Sequence, residues 1–296
     1  MRMKEIILSV VLCGILFPSA AVAQQVIPSQ LHAMPVQIKI PLPNGQTSFG
    51  TGLYMMVSNK VFLVTAGHCL FKSLDPNDKT LINSTANLLS YASNEYPRLK
   101  NFGTLDLSKL QKDQRIKRHP THDVAVVQFG FESADLTSFA DLPGVVFNQS
   151  GLIHNWSPAG CVLLTNVPDG VETLILGYPE ELVKPDLAWL KSLLETDIDF
   201  DYPLIRRGMV SQKNTTKGKI IIDSGVYGGN SGGPVLIVQH PSPEVTTFGI
   251  AGIITKFVPT ETRVAPAVGV TNSILVNSGY GVAEPIDFAL ELMRQF

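Results

Sequence analysis

Charge is scarce in this chain of 296 residues. Only 16% of positions are Asp, Glu, Lys or Arg, and 23 basic against 25 acidic side chains leave a net charge of -2. A balance so near neutrality supplies no basic field for nucleic acid, and Arg115, Lys117 and Arg118 read as a solvated strand edge. Beyond the N-terminus no segment is apolar enough to span a bilayer. Internal repeats, low-complexity tracts and heptads are also missing, which excludes solenoids and coiled coils. What the chain has in quantity is turn chemistry, 24 Gly and 20 Pro, alongside 45% hydrophobic residues. That mixture suits short strands joined by tight loops better than a helical bundle.

The first 23 residues read as a signal peptide. Arg2 and Lys4 form a positive n-region, Ile6 to Phe17 an apolar h-region, and Ala21-Val22-Ala23 a small-residue cleavage site. The apolar run is short against the ~20 residues of a membrane span, so an exported protein, secreted or periplasmic, is expected rather than an anchored one. Cleavage removes Cys13 and leaves Cys69 and Cys161, a pair whose bonding distance the sequence does not give.

Along the mature chain, Gln37 to Ile40 reads as a strand closed by Pro41-Leu42-Pro43-Asn44-Gly45. A hairpin follows, with Leu53 to Val57 and Val61 to Thr65 flanking a turn at Ser58-Asn59-Lys60. Ser73 to Lys79 and Lys112 to His119 are predicted as short strands. Val124 to Phe129 is an apolar run broken only by Gln128, expected of a strand buried on both faces. Glu132 to about Gln149 reads as a polar bridge between two halves. The second half is predicted to hold strands at Cys161 to Leu164, Thr173 to Leu176, Gly208 to Ser211, Lys219 to Ile222, Val235 to Val238 and Thr247 to Thr255. Helical spacing predicts a short inserted helix over Pro185 to Thr196 and a terminal one over Pro285 to Arg294, with Pro in its first turn.

Three segments carry chemistry: Thr65-Ala66-Gly67-His68-Cys69, His122-Asp123-Val124-Ala125 and Gly229-Asn230-Ser231-Gly232-Gly233-Pro234. A serine hydroxyl is a poor nucleophile until a base takes its proton, and that base needs a carboxylate to hold its tautomer. Glycines around the serine free backbone N–H groups for a developing oxyanion. Each segment adjoins an apolar strand, where a rigid sheet can fix a loop side chain. The competing residues have less support. Asp106 and Asp113 lie in polar stretches, Ser224 lacks paired glycines and reads as pocket wall, and His119 and His122 read as surface or loop histidines.

These segments resemble the chymotrypsin-like serine endopeptidases, and within them the bacterial branch of HtrA-type and glutamyl-endopeptidase-type enzymes. LVTAGHC at 63–69, HDVAVV at 122–127 and YGGNSGGPV at 227–235 carry the likeness, with weaker support from ILGYP at 175–179, RGMVS at 207–211 and IAGIIT at 250–255. The resemblance implies an all-β fold of two six-stranded antiparallel barrels, one about 35–130 and one about 160–284, with a C-terminal helix about 285–295. It implies an acyl-enzyme mechanism on protein or peptide substrates, without metal or cofactor. His68 would be the base, Asp123 its orienting acid and Ser231 the nucleophile, with Gly229 and Ser231 donating the oxyanion hydrogen bonds.

Departures from the pattern matter as well. Asn230 replaces the usual Asp, so activation by an ion pair with a new N-terminus is not expected. The mature chain has no cysteine before Cys69, which removes the usual bridge behind the histidine. Gly225 stands where trypsin-like enzymes keep a pocket acid, so Arg or Lys at P1 is not supported. The pocket is expected from Gly225, Val226, Thr255, Lys256 and Phe257. The 65 residues after Ser231 are needed to finish a barrel, leaving no room for a PDZ module. Two alternatives are a binding protein that kept the fold without turnover, and an esterase. The esterase order of serine, acid, then histidine fails here, since only His240 follows Ser231.

Overall fold

The computed structural model describes residues 28–75, 77–91, 100–132, 139–148, 155–179, 202–242, 244–264 and 272–296. Strands dominate it. In the first half these are β1 (Pro35–Pro41), β2 (Thr47–Val57), β3 (Lys60–Ala66), β4 (Thr85–Tyr91), β5 (Lys100–Asp106), β6 (Ile116–Arg118), β7 (Val124–Glu132), β8 (Phe139–Asp141) and β9 (Val145–Asn148), with a short helix α1 (Leu107–Lys112) after β5. They pair antiparallel in the order β6-β7-β3-β2-β1-β4-β5-β9, with β8 beside β7. Side chains from both ends of that order, Val127 and Phe129 against Leu105 and Val145, share one core, so the sheet curls into a barrel-like wrap. The β2–β3 hairpin closes through Ser58 and Asn59 at φ 50° and 56°, the left-handed pair that a two-residue turn requires.

The second half is a closed barrel of six strands: β10 (Glu172–Gly177), β11 (Leu204–Asn214), β12 (Lys219–Asp223), β13 (Pro234–Ser242), β14 (Val245–Val264) and β15 (Asn272–Pro285). The chain ends in α2 (Ile286–Met293). Pro285, which cannot donate into a ladder, stands at its N-cap, and Ile286, Ala289, Leu290 and Met293 form the buried stripe.

The apolar runs are buried on both faces because each face has its own core. In β7 Ala125, Val127 and Phe129 enter the first-half core, while Val124 and Val126 enter a core between the halves. In β13 Val235 and Ile237 enter the second barrel, and Leu236 and Val238 enter the same shared core. Helix α2 and the residues after it seal that layer, with Phe62 against Phe296 at 5.3 Å between ring centroids. Each such side chain contributes about 1.5–3 kcal/mol of burial, which holds the two halves as one body.

Several local expectations change. The described residues of 73–79 form bends and a turn instead of a strand, and Arg118 donates to the carbonyls of Ser73, Asp75 and Asp78. The Lys112 to His119 strand shrinks to β6, because the polar stretch before it folds as α1 behind an Asp106 cap. The strand expected over Cys161 to Leu164 is replaced by a link between two 3₁₀ turns, the second opening at Leu164, with a bridge from Cys161 to Ile250. The polar bridge after Glu132 contains β8 and β9. The signal peptide and the helix expected over Pro185 to Thr196 lie outside the described residues. Among those described, no helix is long and apolar enough to cross a membrane.

Candidate functional site

β3 ends at Ala66, and the chain turns through a 3₁₀ step over Gly67–Cys69 that lifts His68 out of the sheet. Residue 67 must be glycine. A Cβ there would stand 2.8 Å from Asp123 Oδ1 and 3.1 Å from Arg118 Nε. That close approach lets the Asp123 carboxylate lie under the turn and accept twice, from His68 N–H at 2.9 Å and from His68 Nδ1 at 2.5 Å. With Nδ1 tied to a carboxylate, the Nε2 lone pair is available as a base. Burial pushes the Asp123 carboxyl up, but the hydrogen bonds and charge of His68, with Arg118 nearby, hold it below the usual carboxylate range.

The serine turn precedes β13 and is built against Thr51 of β2. Thr51 N–H donates to Ser231 O at 2.7 Å, and Thr51 Oγ1 donates to Gly229 O at 2.7 Å. The same hydroxyl accepts Tyr178 N–H at 3.1 Å, while Thr51 O accepts from Thr65 Oγ1 at 2.6 Å. Gly232, at φ +85°, makes this possible, because a Cβ would fall 1.9 Å from Thr51 O and 2.9 Å from Ala66 N. The turn is thus pressed onto the strand end that carries His68, and the buried Cys69 thiol donates to Ser231 O at 3.4 Å.

Within the turn most N–H groups are spent: Asn230 on Tyr227 O, Gly232 on Ile254 O and Gly233 on Asn230 O. Those of Gly229 and Ser231 take no acceptor among the described residues. The Ser231 hydroxyl is likewise without a hydrogen bond there, a contact that ligand-free sites often make only on binding.

A cavity of about 360 Å³ opens beside His68 and Asp123, walled by Leu74, Thr255, Lys256 and Glu284. Thr255 is buried and bonds Val282 O at 3.3 Å, whereas Lys256 and Phe257 are exposed. Val226 turns its side chain into the second-barrel core. Gly225 lies against Arg206, whose Nη1 donates to Gly225 O at 3.3 Å and whose guanidinium stacks over Tyr227 at 4.2 Å. Ser224 is tied to Arg207 O at 3.2 Å, and Asp106 and Asp113 cap the two ends of α1.

Two histidines are not surface groups. His119 is 5% exposed, and its Nδ1 accepts N–H from Thr121 at 3.3 Å and His122 at 3.1 Å. His122 stacks on Phe288 at 3.5 Å and bonds Glu284 at 2.9 Å. Reading the polar context of 119–122 as a loop missed that α2 and β15 cover it. Thr51, Arg118, Arg206 and Glu284 were missed too, since each acts through partners distant in sequence and stands in no motif. Cys69 and Cys161 are both free thiols, each pushed up to about 12 chiefly by burial. Among the described residues, no group of three or more His, Cys, Asp or Glu side chains could hold a metal.

No family model and no curated protein matches the chain. Solved structures do. The HtrA-type protease AlgW with tripeptide aligns at 14% identity and a TM-score of 0.46, covering 89% of this chain and 60% of that one. Protease Anisep from Arthrobacter nicotinovorans aligns at 14% identity and 0.43, covering 86% and 90%. A serine endoprotease from Yersinia pestis gives 13% and 0.42, covering 89% and 62%. This chain therefore spans about three fifths of the first and third. Likeness at this level carries no argument about chemistry, which rests on the site's own geometry.

Proposed function

We propose that the protein is an exported serine endopeptidase that cleaves peptide bonds through an acyl-enzyme, with Ser231 as nucleophile, His68 as base and Asp123 as orienting acid. The observation that carries this reading is the His68 Nδ1 to Asp123 Oδ2 bond of 2.5 Å at the strand end onto which the Ser231 turn is packed. In the first step Ser231 Oγ bonds the scissile carbonyl carbon as its proton passes to His68 Nε2. The carbonyl oxygen takes up the negative charge, and the Gly229 and Ser231 N–H groups are its donors. When the tetrahedral species collapses, the C–N bond breaks and the imidazolium returns its proton to the leaving amine. Water then repeats the sequence on the ester, releasing the acid and restoring the serine.

Asn230 is buried at 3% exposure, and its side-chain oxygen packs against Gly177, where a Cβ would stand 3.0 Å from it. The turn is shaped by neutral groups, which supports activity without an N-terminal ion pair. The export signal belongs to the same proposal and rests on the sequence. The test is a peptide-library digest by the mature chain beside Ser231→Ala, with a fluorophosphonate probe as a second readout. Cleavage and labelling are expected only with Ser231 present; cleavage that survives the substitution defeats the assignment.

A further inference from the structure

Glu284 is an acid with 1% exposure on β15 of the second barrel, beside an aspartate that belongs to the first. Its Oε1 receives Lys219 Nζ from β12 and stands 3.4 Å from Asp123 N–H, while Oε2 lies 2.9 Å from His122 Nδ1. The ring of His122 is fixed on its other sides as well. Phe288 of α2 stacks on it at 3.5 Å, and Gly218 packs so close that a Cβ would stand 3.0 Å from His122 Cε1. The His122 N–H ends on His119 Nδ1 at 3.1 Å. Residues 122 and 123 are therefore gripped from the second barrel by one carboxylate and from α2 by one ring.

This arrangement bears on a problem set by the fold. The nucleophile belongs to one barrel, whereas the base and its acid belong to the other, and a displacement of about 1 Å between them costs about 10²-fold in rate. The shared apolar core sets the distance between barrels but is non-directional. A buried, hydrogen-bonded carboxylate is directional, and here Lys219, His122 and the Asp123 N–H face it and offset its desolvation.

We propose that Glu284 is the positioning residue through which the second barrel holds Asp123 in line with His68 and the Ser231 turn, an inference that rests on the endopeptidase reading. Lys219 compensates its charge, and His122 extends its grip to the residue before the acid.

The experiment measures saturable fluorophosphonate labelling, kinact and KI, on the mature chain and four variants whose folding is followed by thermal melts. Glu284→Ala is expected to lower kinact at least tenfold, since the reacting groups shift; because Glu284 also walls the cavity beside His68, KI is free to change with it, and kinact is the readout that decides. The paired variant Glu284→Gln with Lys219→Met removes both charges but keeps an amide oxygen for Asp123 N–H. It is expected to hold kinact within about threefold of the parent, and it decides the matter should Glu284→Ala fail to fold. Lys219→Met alone, which leaves Glu284 in place, is expected to lose less than Glu284→Ala. Wild-type kinact in Glu284→Ala, a loss confined to KI, or a paired variant as slow as the alanine form overturns the positioning role while Ser231-dependent labelling stands. Labelling of the parent that persists in Ser231→Ala overturns the endopeptidase reading itself, and this inference with it.

Discussion

Thr51 is the residue whose loss best tests how the Ser231 turn is held. Its hydroxyl gives one hydrogen bond to Gly229 O and takes another from Tyr178 N–H, and the residue is fully buried. Thr51→Val keeps the branched shape and removes both bonds. Two buried backbone groups are then unpaired, each at a cost of about 1–3 kcal/mol, so a stability loss of about 2–6 kcal/mol is expected. The freed Gly229 carbonyl lies in the peptide next to its own N–H, and glycine at φ +85° has little to stop it swinging. If that donor leaves the proposed oxyanion position, about 3 kcal/mol of transition-state stabilisation is expected to go with it, close to 10²-fold in rate. Urea melts read the first number and fluorophosphonate kinact the second. Thr51→Ser restores the hydroxyl and should return kinact to within about threefold. A valine variant that matches the parent in both midpoint and rate refutes the reasoning, because the hydroxyl would then hold nothing.

Two further outcomes follow from the same geometry. Gly232→Ala places a methyl inside contact distance of Thr51 O at an unfavourable φ, so a loss of at least about 3 kcal/mol in a denaturant melt is expected, with no labelling of Ser231. An alanine variant of parental stability would mean the turn is not pressed onto β2. His119 titrates below the usual histidine range, chiefly because burial disfavours its charged form, with His122 adding to the effect and Glu291 opposing it. The unfolded chain therefore binds this proton first. Its contribution is full above about pH 6.5 and is lost as pH falls toward the folded value. The stability gap between the parent and His119→Gln should shrink from pH 7.5 to pH 5.5, and a constant gap counts against a buried neutral His119.

How much could be read without coordinates depended on where each signal lives along the chain. Hairpin β2–β3 and helix α2 were legible because a two-residue turn, a 3.6-residue stripe and a proline are local. The buried run of β7 was legible because Val124 to Val127 are four successive apolar residues, followed by Phe129 after Gln128, a length that suits a strand covered on both sides. Ser73 to Lys79 was misread, since its shape comes from the Arg118 guanidinium holding three carbonyls. No pattern within seven residues records an arginine forty positions away.

At the site the division is similar. Three motifs in one order were enough to nominate His68, Asp123 and Ser231, because the chemistry of a weak nucleophile demands a base, an acid and glycines in recognisable company. The spacing of those motifs carries no information about what holds them together. Thr51 reaches the turn across 178 residues and Glu284 reaches Asp123 across 161, as buried polar groups that needed partners wherever the fold supplied them. Sequence alone determined which side chains could do the chemistry and that strands would present them. Tertiary structure alone decided how they are aimed, because hydrogen bonds between distant segments form only after two barrels and a terminal helix have closed over them.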